Sequence, residues 1–262
     1  MRPTTFIRWP KPDGLMFGTF NGGLFLQQLL GRPGIEFDVA RFELLGVPAK
    51  DSSACAVTKA SGITSMERWA ASKTPVKLGA TAPGAITHDT PRVLQAALGL
   101  PIHLVAGYKG TADIRLAAES GEIAGGCWAW ESIKATWTKG IEAGDVVVVV
   151  QNLPKPHPDL PKVPLAIDFA RTEEARQLIQ AGIHDVSAIN RVYVLPPGTP
   201  KERVQILRKA FADTMKDPAF LAEAERSKLE IDPLTAEEVE RAVSGFFKLS
   251  PAVVTKLKEV LK

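Results

Sequence analysis

The chain has 262 residues, with 32 Lys and Arg against 29 Asp and Glu, which gives a net charge of +3 with neutral His. Apolar residues make up 45% and charged residues 23%, the proportions of a folded globular protein. This balance excludes disorder, collagen, coiled coil and the strongly basic surface of a nucleic-acid binder, and the length admits one large α/β domain or two lobes.

The apolar runs of the sequence are short. The run Val146–Val150 has five residues, whereas a spanning helix needs about 20 apolar residues. Residues 1–10 lack the apolar core of a secretory signal. We therefore expect no transmembrane helix, and the chain as written is not expected to be addressed for export.

The first part of the chain alternates strand and helix patterns. A buried strand is predicted over 15–20, followed by a polar turn over 19–23 and a helix over 24–30. Further predicted elements are strands over 42–47 and 54–57 and a helix over 67–72 that follows a capping pattern.

A more regular α/β pattern follows. A strand over 75–80 precedes a loop with Gly84 and a helix that has Pro91 in its first turn and ends at Gly99. A strand over 102–106, a turn over 107–111 and a helix over 112–120 repeat this order. The alternation predicts parallel or mixed sheets covered by helices on both faces.

The remainder of the chain ends in helices. Trp128 and Trp130 are predicted to lie on one face of a strand, either in the core or lining a pocket. The other predicted elements are strands over 146–150 and 191–195, a proline-rich surface loop over 152–164, and helices over 173–181, 201–215, 220–227, 239–249 and 252–261.

The reactive residues give no catalytic or metal signature. Cys55 and Cys127 are 72 positions apart and form no C-x-x-C pair, so two buried free thiols are expected, with one disulfide as the alternative. The four histidines lack metal-ligand spacing, and only His88, beside Asp89, lies in a turn between a strand and a helix. Nucleophile-elbow, P-loop and dinucleotide motifs do not occur in the sequence.

Three loops share one pattern, a strand followed by small polar residues that open a helix. They span 19–23, 81–90 and 107–113. Helix N-termini present unpaired N–H groups and a partial positive charge, which make an anion site without Lys or Arg. The loops together therefore predict a carboxylate site, while each loop alone is equally compatible with a tight turn.

Four stretches carry a resemblance to a known family. They are 79–85 (GATAPGA), 105–114 (VAGYKGTADI), 11–15 (KPDGL) and 195–200 (LPPGTP). In their order along the chain they resemble the substrate-binding proteins of tripartite tricarboxylate transporters, the TctC or Bug family, over nearly the whole chain.

The resemblance implies a two-lobed α/β fold of the periplasmic-binding-protein or Venus flytrap type, with mixed sheets flanked by helices. Lobe one would comprise 1–73 and 190–262, and lobe two 74–189. It implies a monomeric periplasmic solute-binding protein that captures a small organic acid or related metabolite between the lobes for membrane transporter subunits or a sensor. We expect no enzymatic activity, no cofactor, no metal and no nucleic-acid partner.

The family's ligand positions map onto loops at the predicted cleft. In lobe one they are Phe20, Asn21 and Gly22. In lobe two they are Thr81, Ala82, Gly84, Ala85, Thr87, Gly110, Thr111 and Asp113, with Trp128 and Glu131 at a bordering strand end.

Two departures from the family pattern leave alternatives open. The family's signal peptide, first strand and first glycine-rich loop have no counterpart here, so a shortened relative that no longer binds a ligand is one alternative. Asp113 either repels a second ligand carboxylate or stabilises its own helix start. A small-molecule enzyme with Glu131, Asp113 and His88 as acid/base groups is the other alternative.

Overall fold

The computed structural model describes residues 11–35, 37–227 and 229–262. Within these ranges, no helix combines the length and the apolar character needed to cross a bilayer. The strands are β1 (Gly18–Phe20), β2 (Glu43–Val47), β3 (Ser53–Thr58), β4 (Val76–Ala80), β5 (Ile102–Ala106), β6 (Gly125–Ala129), β7 (Val146–Gln151), β8 (Val192–Leu195) and β9 (Leu234–Thr235). The helices are α1 (Gly23–Leu29), α2 (Met66–Ala70), α3 (Ile86–Leu98), α4 (Thr111–Glu119), α5 (Trp130–Glu142), α6 (Glu173–Ile179), α7 (Asp185–Ala188), α8 (Lys201–Thr214), α9 (Pro218–Arg226), α10 (Ala236–Phe246) and α11 (Pro251–Val260), with a π-helical segment, Gln180–His184, between α6 and α7.

The chain divides into two compact units, and each is described by itself. The first unit holds residues 11–51 and 188–249, and the second unit holds 52–187 and 250–262. The chain therefore passes between the units after residue 51, before residue 188 and after residue 249.

The first unit is built on an antiparallel sheet with the strand order β1-β8-β2-β9. The register of β2 against β8 shifts between Leu44 and Gly46. A Cβ atom at Gly46 would collide with the ring of Phe211 on α8, so the absence of a side chain there lets this helix pack directly on the strand.

The predicted buried strand over 15–20 is wrong in extent. The structure has a strand only at Gly18–Phe20, and Leu15 is 82% exposed. The reason is that β1 lies at the edge of its sheet, where one side lacks a neighbouring strand among the described residues. Phe20 itself packs on Phe25 and Phe42, with ring centroids 5.2 and 5.5 Å away.

The second unit contains a mixed sheet with the strand order β5-β4-β6-β3-β7. The strands β4, β5 and β6 run parallel to one another, whereas β3 is antiparallel to both β6 and β7. The edge at which β4, β5 and β6 end is called the carboxyl edge below. The start of β3 and the end of β7 lie at the same edge, because Ser53 pairs with Ala129 and Ala54 with Gln151.

The unit boundaries differ from the predicted lobes at residues 52–73, 188–189 and 250–262. Residues 52–73 were predicted in lobe one, but β3 lies inside the sheet of the second unit, between β6 and β7. The C-terminal residues 250–262 were also predicted in lobe one, but α11 packs on α3 and α6, and Leu257 is fully buried there. Pairing and packing partners decide membership of a unit, and neither is encoded in local periodicity.

Cys55 and Cys127 form a disulfide bond, so the expectation of two free thiols is wrong. The two residues stand directly opposite each other on β3 and β6, with their Cα atoms 4.0 Å apart. Antiparallel neighbours approach this closely only when the register aligns them. The sequence spacing of 72 residues contains no information on that register.

Two other local predictions need correction. Pro91 was expected in the first turn of its helix, but α3 begins five residues earlier, at Ile86, so that Pro91 lies inside it. Trp130 was expected on a strand beside Trp128, but it is the first residue of α5. Both helices begin without a side-chain cap, which removes the sequence signal that usually marks a helix start.

The core of the second unit on the α4 and α5 side of the sheet is rich in tryptophan. Trp128 and Trp137 pack with ring centroids 5.4 Å apart, and Ile114 and Ile133 are fully buried beside them. This packing fixes α4 and α5 on the sheet and thereby fixes where both helices begin.

Candidate functional site

Three helices of the second unit begin at the carboxyl edge, each directly after a parallel strand. The helix α3 follows β4, α4 follows β5 and α5 follows β6. Their N-cap residues are Ala85, Gly110 and Ala129, whose side chains contain no hydrogen-bond acceptor. The first-turn amides of all three helices therefore lack the usual cap from the N-cap side chain, while their dipoles direct partial positive charge to this edge.

Three other helices of the same unit, α2, α6 and α11, do have a side-chain cap. Ser65 accepts a hydrogen bond from the amide of Arg68 in α2, and Thr172 accepts one from Ala175 in α6. Ser250 caps α11 in the same way. The missing caps at the carboxyl edge are thus not shared by all α-helices of the unit.

The loop between β4 and α3 is held by its own side chains. The Thr81 amide donates to Thr87 Oγ1 at 3.1 Å, and the two threonine hydroxyl oxygens lie 2.8 Å apart. Gly84 has a φ of +88°, a conformation that favours glycine, and its amide donates to Asp89 Oδ1 at 3.1 Å. Of the predicted site residues here, Ala82 is exposed, Thr81 and Ala85 are half-buried, and Gly84 and Thr87 are buried.

His88 is a buried residue of α3. It is 4% exposed, and its Nδ1 lies 2.8 Å from Oδ1 of Asp89, which is also buried. The prediction that His88 lies in a turn between a strand and a helix is therefore wrong, because α3 starts at Ile86 and His88 is a buried residue of this helix. The local pairing with Asp89 ties the imidazole to its own helix.

The loop between β5 and α4 places Gly110, Thr111 and Asp113 at the helix start. Asp113 Oδ2 accepts a hydrogen bond from the Lys109 amide at 3.3 Å. This contact agrees with the interpretation that Asp113 stabilises the start of its own helix. Gly110 is extended, and a Cβ there would meet nothing within 4 Å, so the position tolerates a side chain.

The start of α5 is fixed by contacts on both sides. The amide of Trp130 donates to the Ser52 carbonyl at 2.7 Å, and its indole Nε1 donates to Asp159 Oδ2 at 3.0 Å. Trp128 and Trp130 are 3% and 6% exposed, so both belong to the core. Glu131, the second residue of α5, is half-buried.

Each of the three helices has one carboxylate in its first turn. These are Asp89 in α3, Asp113 in α4 and Glu131 in α5. They interact favourably with the helix dipoles, but they also add negative charge beside any anion at this edge. The arrangement suits an anion held by backbone amides and opposes the accumulation of many ligand charges.

Two cavities of the second unit lie at the opposite edge of the sheet. Their volumes are about 300 and 650 Å³, and Thr58 lines both. Lys77 and Glu122 line the smaller cavity, and the C-terminal end of α4 lines the larger one beside Asp145. A helix C-terminus carries partial negative charge, so this edge is the less suitable one for a carboxylate.

The predicted ligand loop of the first unit, Phe20–Gly22, differs from those at the carboxyl edge. Asn21 Oδ1 accepts from the Gly23 amide at 3.0 Å, and Asn190 Oδ1 accepts from the Gly22 amide at 3.2 Å. Two amides at the start of α1 are therefore already bound by asparagine side chains. Sequence reasoning missed Asn190, which is 168 positions from Gly22 and belongs to no local pattern.

The structure thus brings the predicted residues of lobe two to one sheet edge. Thr81, Ala82, Gly84, Ala85 and Thr87 precede or open α3. Gly110, Thr111 and Asp113 open α4, and Trp128 and Glu131 flank the start of α5. Their contact with a ligand stays a prediction.

Neither a protein-family model nor a curated protein sequence matches the chain. Solved structures do match it. A TctC solute-binding protein from Polaromonas, without ligand, is 15% identical, with a TM-score of 0.65 over 96% of this chain and 79% of that one. Rpa4515 from R. palustris with adipate is 20% identical, with a TM-score of 0.71 over 97% and 80%. The periplasmic binding protein BugD is 19% identical, with a TM-score of 0.68 over 96% and 80%.

These likenesses show the fold. The chain has the mixed α/β architecture of TctC and Bug periplasmic binding proteins, with two sheets flanked by helices, and the fold predicted from the sequence is confirmed. Identities of 15 to 20% carry the comparison no further than the fold.

Proposed function

We propose that this protein is a solute-binding protein that holds a small organic acid on the amides at the starts of α3, α4 and α5. The observation that carries the proposal is the set of N-cap residues Ala85, Gly110 and Ala129, which leave three helix starts at one edge without a side-chain cap. A ligand carboxylate at this edge would supply the acceptor oxygens that the caps supply elsewhere.

Energetics support this assignment. An N-cap side chain contributes roughly 0.5–2 kcal/mol to helix stability. Three helices of one unit forgo that contribution at the same edge, and in open α/β sheets ligands bind off the carboxyl ends of the strands. Helix starts without a side-chain cap, retained at one edge despite this cost, are expected where function needs that position for a ligand.

Capture without chemistry fits the side chains at this edge better than turnover does. A general acid or base must reach the reacting group. His88 is buried against Asp89, and Asp113 is bonded to the Lys109 amide, so two of the three acid/base candidates are committed to local contacts. We therefore favour binding over the enzymatic alternative.

The proposal also includes ligand contacts from the first unit, a cellular location and partner proteins. We propose that Phe20–Gly22 of the first unit provides the second set of ligand contacts, and that the two units close on the ligand. The disulfide Cys55–Cys127 supports a periplasmic location, because disulfides persist in oxidising compartments. Delivery to membrane transporter subunits or to a sensor, by a monomer, completes the proposal.

A thermal-shift screen against mono-, di- and tricarboxylates, with the corresponding amides as controls, tests the proposed function. Ligand at 100 times its Kd stabilises by about 2.7 kcal/mol, or roughly 5 to 10 °C at this size. We expect a shift with one class of carboxylate and none with its amide. A cooperative melt that no carboxylate shifts would contradict the proposal, and small-angle scattering without compaction at saturation would contradict closure.

A further inference from the structure

Asp51 and Asn190 lie where the chain enters and leaves the first unit. Asp51 is the last residue of the unit before the chain continues into β3, and Asn190 follows the return of the chain at Ala188. Both residues belong to the first unit, and their contacts lie within it.

The carboxylate of Asp51 is buried and joined to the returning segment. It is 5% exposed, its Oδ1 forms a salt bridge with Arg191 Nε at 2.6 Å, and its Oδ2 accepts a hydrogen bond from Asn190 Nδ2. Burial raises the pKa of Asp51, against the lowering effects of the Arg191 charge and the Asn190 hydrogen bond. A carboxylate buried at this cost persists only with its partners in place, so the pairing ties residue 51 to residues 190 and 191.

The opposite end of the Asn190 side chain holds the predicted ligand loop. Its Oδ1 accepts from the Gly22 amide at 3.2 Å. A Cβ at Gly22 would lie 2.7 Å from the Ile189 carbonyl oxygen, so the loop approaches the returning segment closely enough to require glycine. The amide group of Asn190 therefore bridges the Asp51 carboxylate and the loop backbone.

We propose that Asn190, oriented by Asp51, is a positioning residue that fixes the loop Phe20–Gly22 for ligand contact. It links the loop to the segments next to two of the three chain crossings, at residues 51 and 188, so that the conformation of the loop and of these segments depends on one hydrogen-bonded group. Asn190 acts through Gly22 and does not touch the ligand. The part of this inference that concerns ligand binding rests on the proposed function, and the part that concerns the loop conformation rests on the contacts described above.

The variant Asn190→Ala, measured in the full chain, tests both the effect on the loop and the effect on ligand binding. Amide hydrogen exchange at Gly22 reads the loop without any ligand, and calorimetry with adipate as the probe reads binding. The matched control is Thr235→Ala, which removes the cap of α10 in the same unit and does not touch the loop. Asn190→Asp keeps the acceptor for Gly22 but places two carboxylates in contact.

We expect Asn190→Ala to speed exchange at Gly22 at least tenfold and to weaken adipate binding about tenfold. Thr235→Ala should lower the melting temperature while both readouts stay at their wild-type values. Asn190→Asp should bind adipate poorly at pH 7 and recover as the pH falls, because protonation of one carboxyl group removes the repulsion from Asp51.

Unchanged exchange at Gly22 in Asn190→Ala would overturn the proposal, whatever the binding result. Faster exchange with unchanged adipate affinity would overturn the claim that Asn190 positions the loop for ligand contact. If the wild-type chain binds no adipate, the proposed function loses support for that acid, and the exchange rate at Gly22 alone decides whether Asn190 positions the loop.

Discussion

Within the second unit, the helices at the carboxyl edge differ from those elsewhere in how they begin. The helices α2, α6 and α11 start with Ser65, Thr172 and Ser250, each of which accepts a hydrogen bond from its own first turn. The helices α3, α4 and α5 start with Ala or Gly. Among these six helices, the stability that a cap provides is present where the helix only packs and absent where the helix start faces the proposed ligand.

The largest expected effect comes from removing the disulfide bond in the sheet of the second unit, the unit to which both sets of helices belong. Replacing both Cys55 and Cys127 by Ala should lower the free energy of unfolding by about 4 kcal/mol for a separation of 72 residues. Chemical denaturation of the oxidised protein and the double variant measures this. The folded fraction of the double variant should bind the same class of ligand as the wild type. Equal stability of the two proteins would contradict the presence of the disulfide bond.

A smaller effect concerns His184 in the π-helical segment Gln180–His184, which packs on α3. Burial lowers the pKa of His184 to about 4, whereas an unfolded histidine titrates near 6.5. The unfolded state therefore takes up a proton below pH 6.5 that the native state refuses, and stability should fall by about 2–3 kcal/mol between pH 6.5 and 4. Burial raises the pKa of Asp185, which opposes this fall.

Denaturation midpoints between pH 4 and 7 measure the effect. The variant His184→Gln should flatten that part of the profile, since it has no proton to bind. A profile of the same slope in the variant would assign the acid sensitivity to other groups.

The comparison itself is tested by adding a cap at the carboxyl edge. Ala85 already has the backbone of an N-cap, with φ −91° and ψ 148°, so Ala85→Asp should stabilise α3 by about 1 kcal/mol. The same side chain would occupy a first-turn amide and repel a carboxylate, so affinity for the best organic acid should fall at least tenfold. Melting temperature and calorimetry measure the two effects.

The matched control removes a cap elsewhere. Thr172→Ala in α6 should lose about 1 kcal/mol of stability and keep its affinity. An Ala85→Asp protein that binds as tightly as the wild type would show that the start of α3 is not used by the ligand.

The smallest effect concerns the charge at the start of α4. Asp113→Asn keeps an acceptor for the Lys109 amide but removes the negative charge. We expect affinity for dicarboxylates to rise a few-fold relative to monocarboxylates, with a loss of a few tenths of a kcal/mol in helix stability. An unchanged ratio of the two affinities would place the Asp113 charge outside the reach of the ligand.

The sequence predicted the α/β alternation and most of the elements because periodicity and glycine ends are local signals. Gly99, with a φ of +67°, ends α3 as expected, and a capping box of Thr235 and Glu238, another local signal, begins α10. The start of α3 was missed because Ala85 carries no capping signal, and Pro91 was therefore taken as a first-turn residue.

The features that the sequence did not predict depend on contacts between residues far apart in the chain. The pairing of Cys55 with Cys127 requires the register of β3 on β6, and the place of α11 requires its packing on α3. For the candidate site, the sequence identified the loops at the carboxyl edge. It did not identify Asn190, which reaches Gly22 only after the chain has returned from the second unit.

The central claim is that a carboxylate binds to the first-turn amides of α3, α4 and α5, and amide chemical shifts report on those groups directly. The measurement is a ¹⁵N-labelled titration of the full chain with the organic acid that gives the largest thermal shift. We expect the largest shifts in the second unit at the first turns that follow Ala85, Gly110 and Ala129, with small changes at the capped starts of α2, α6 and α11. Saturable binding with the largest shifts at the opposite edge, around Thr58 and Asp145, would contradict it.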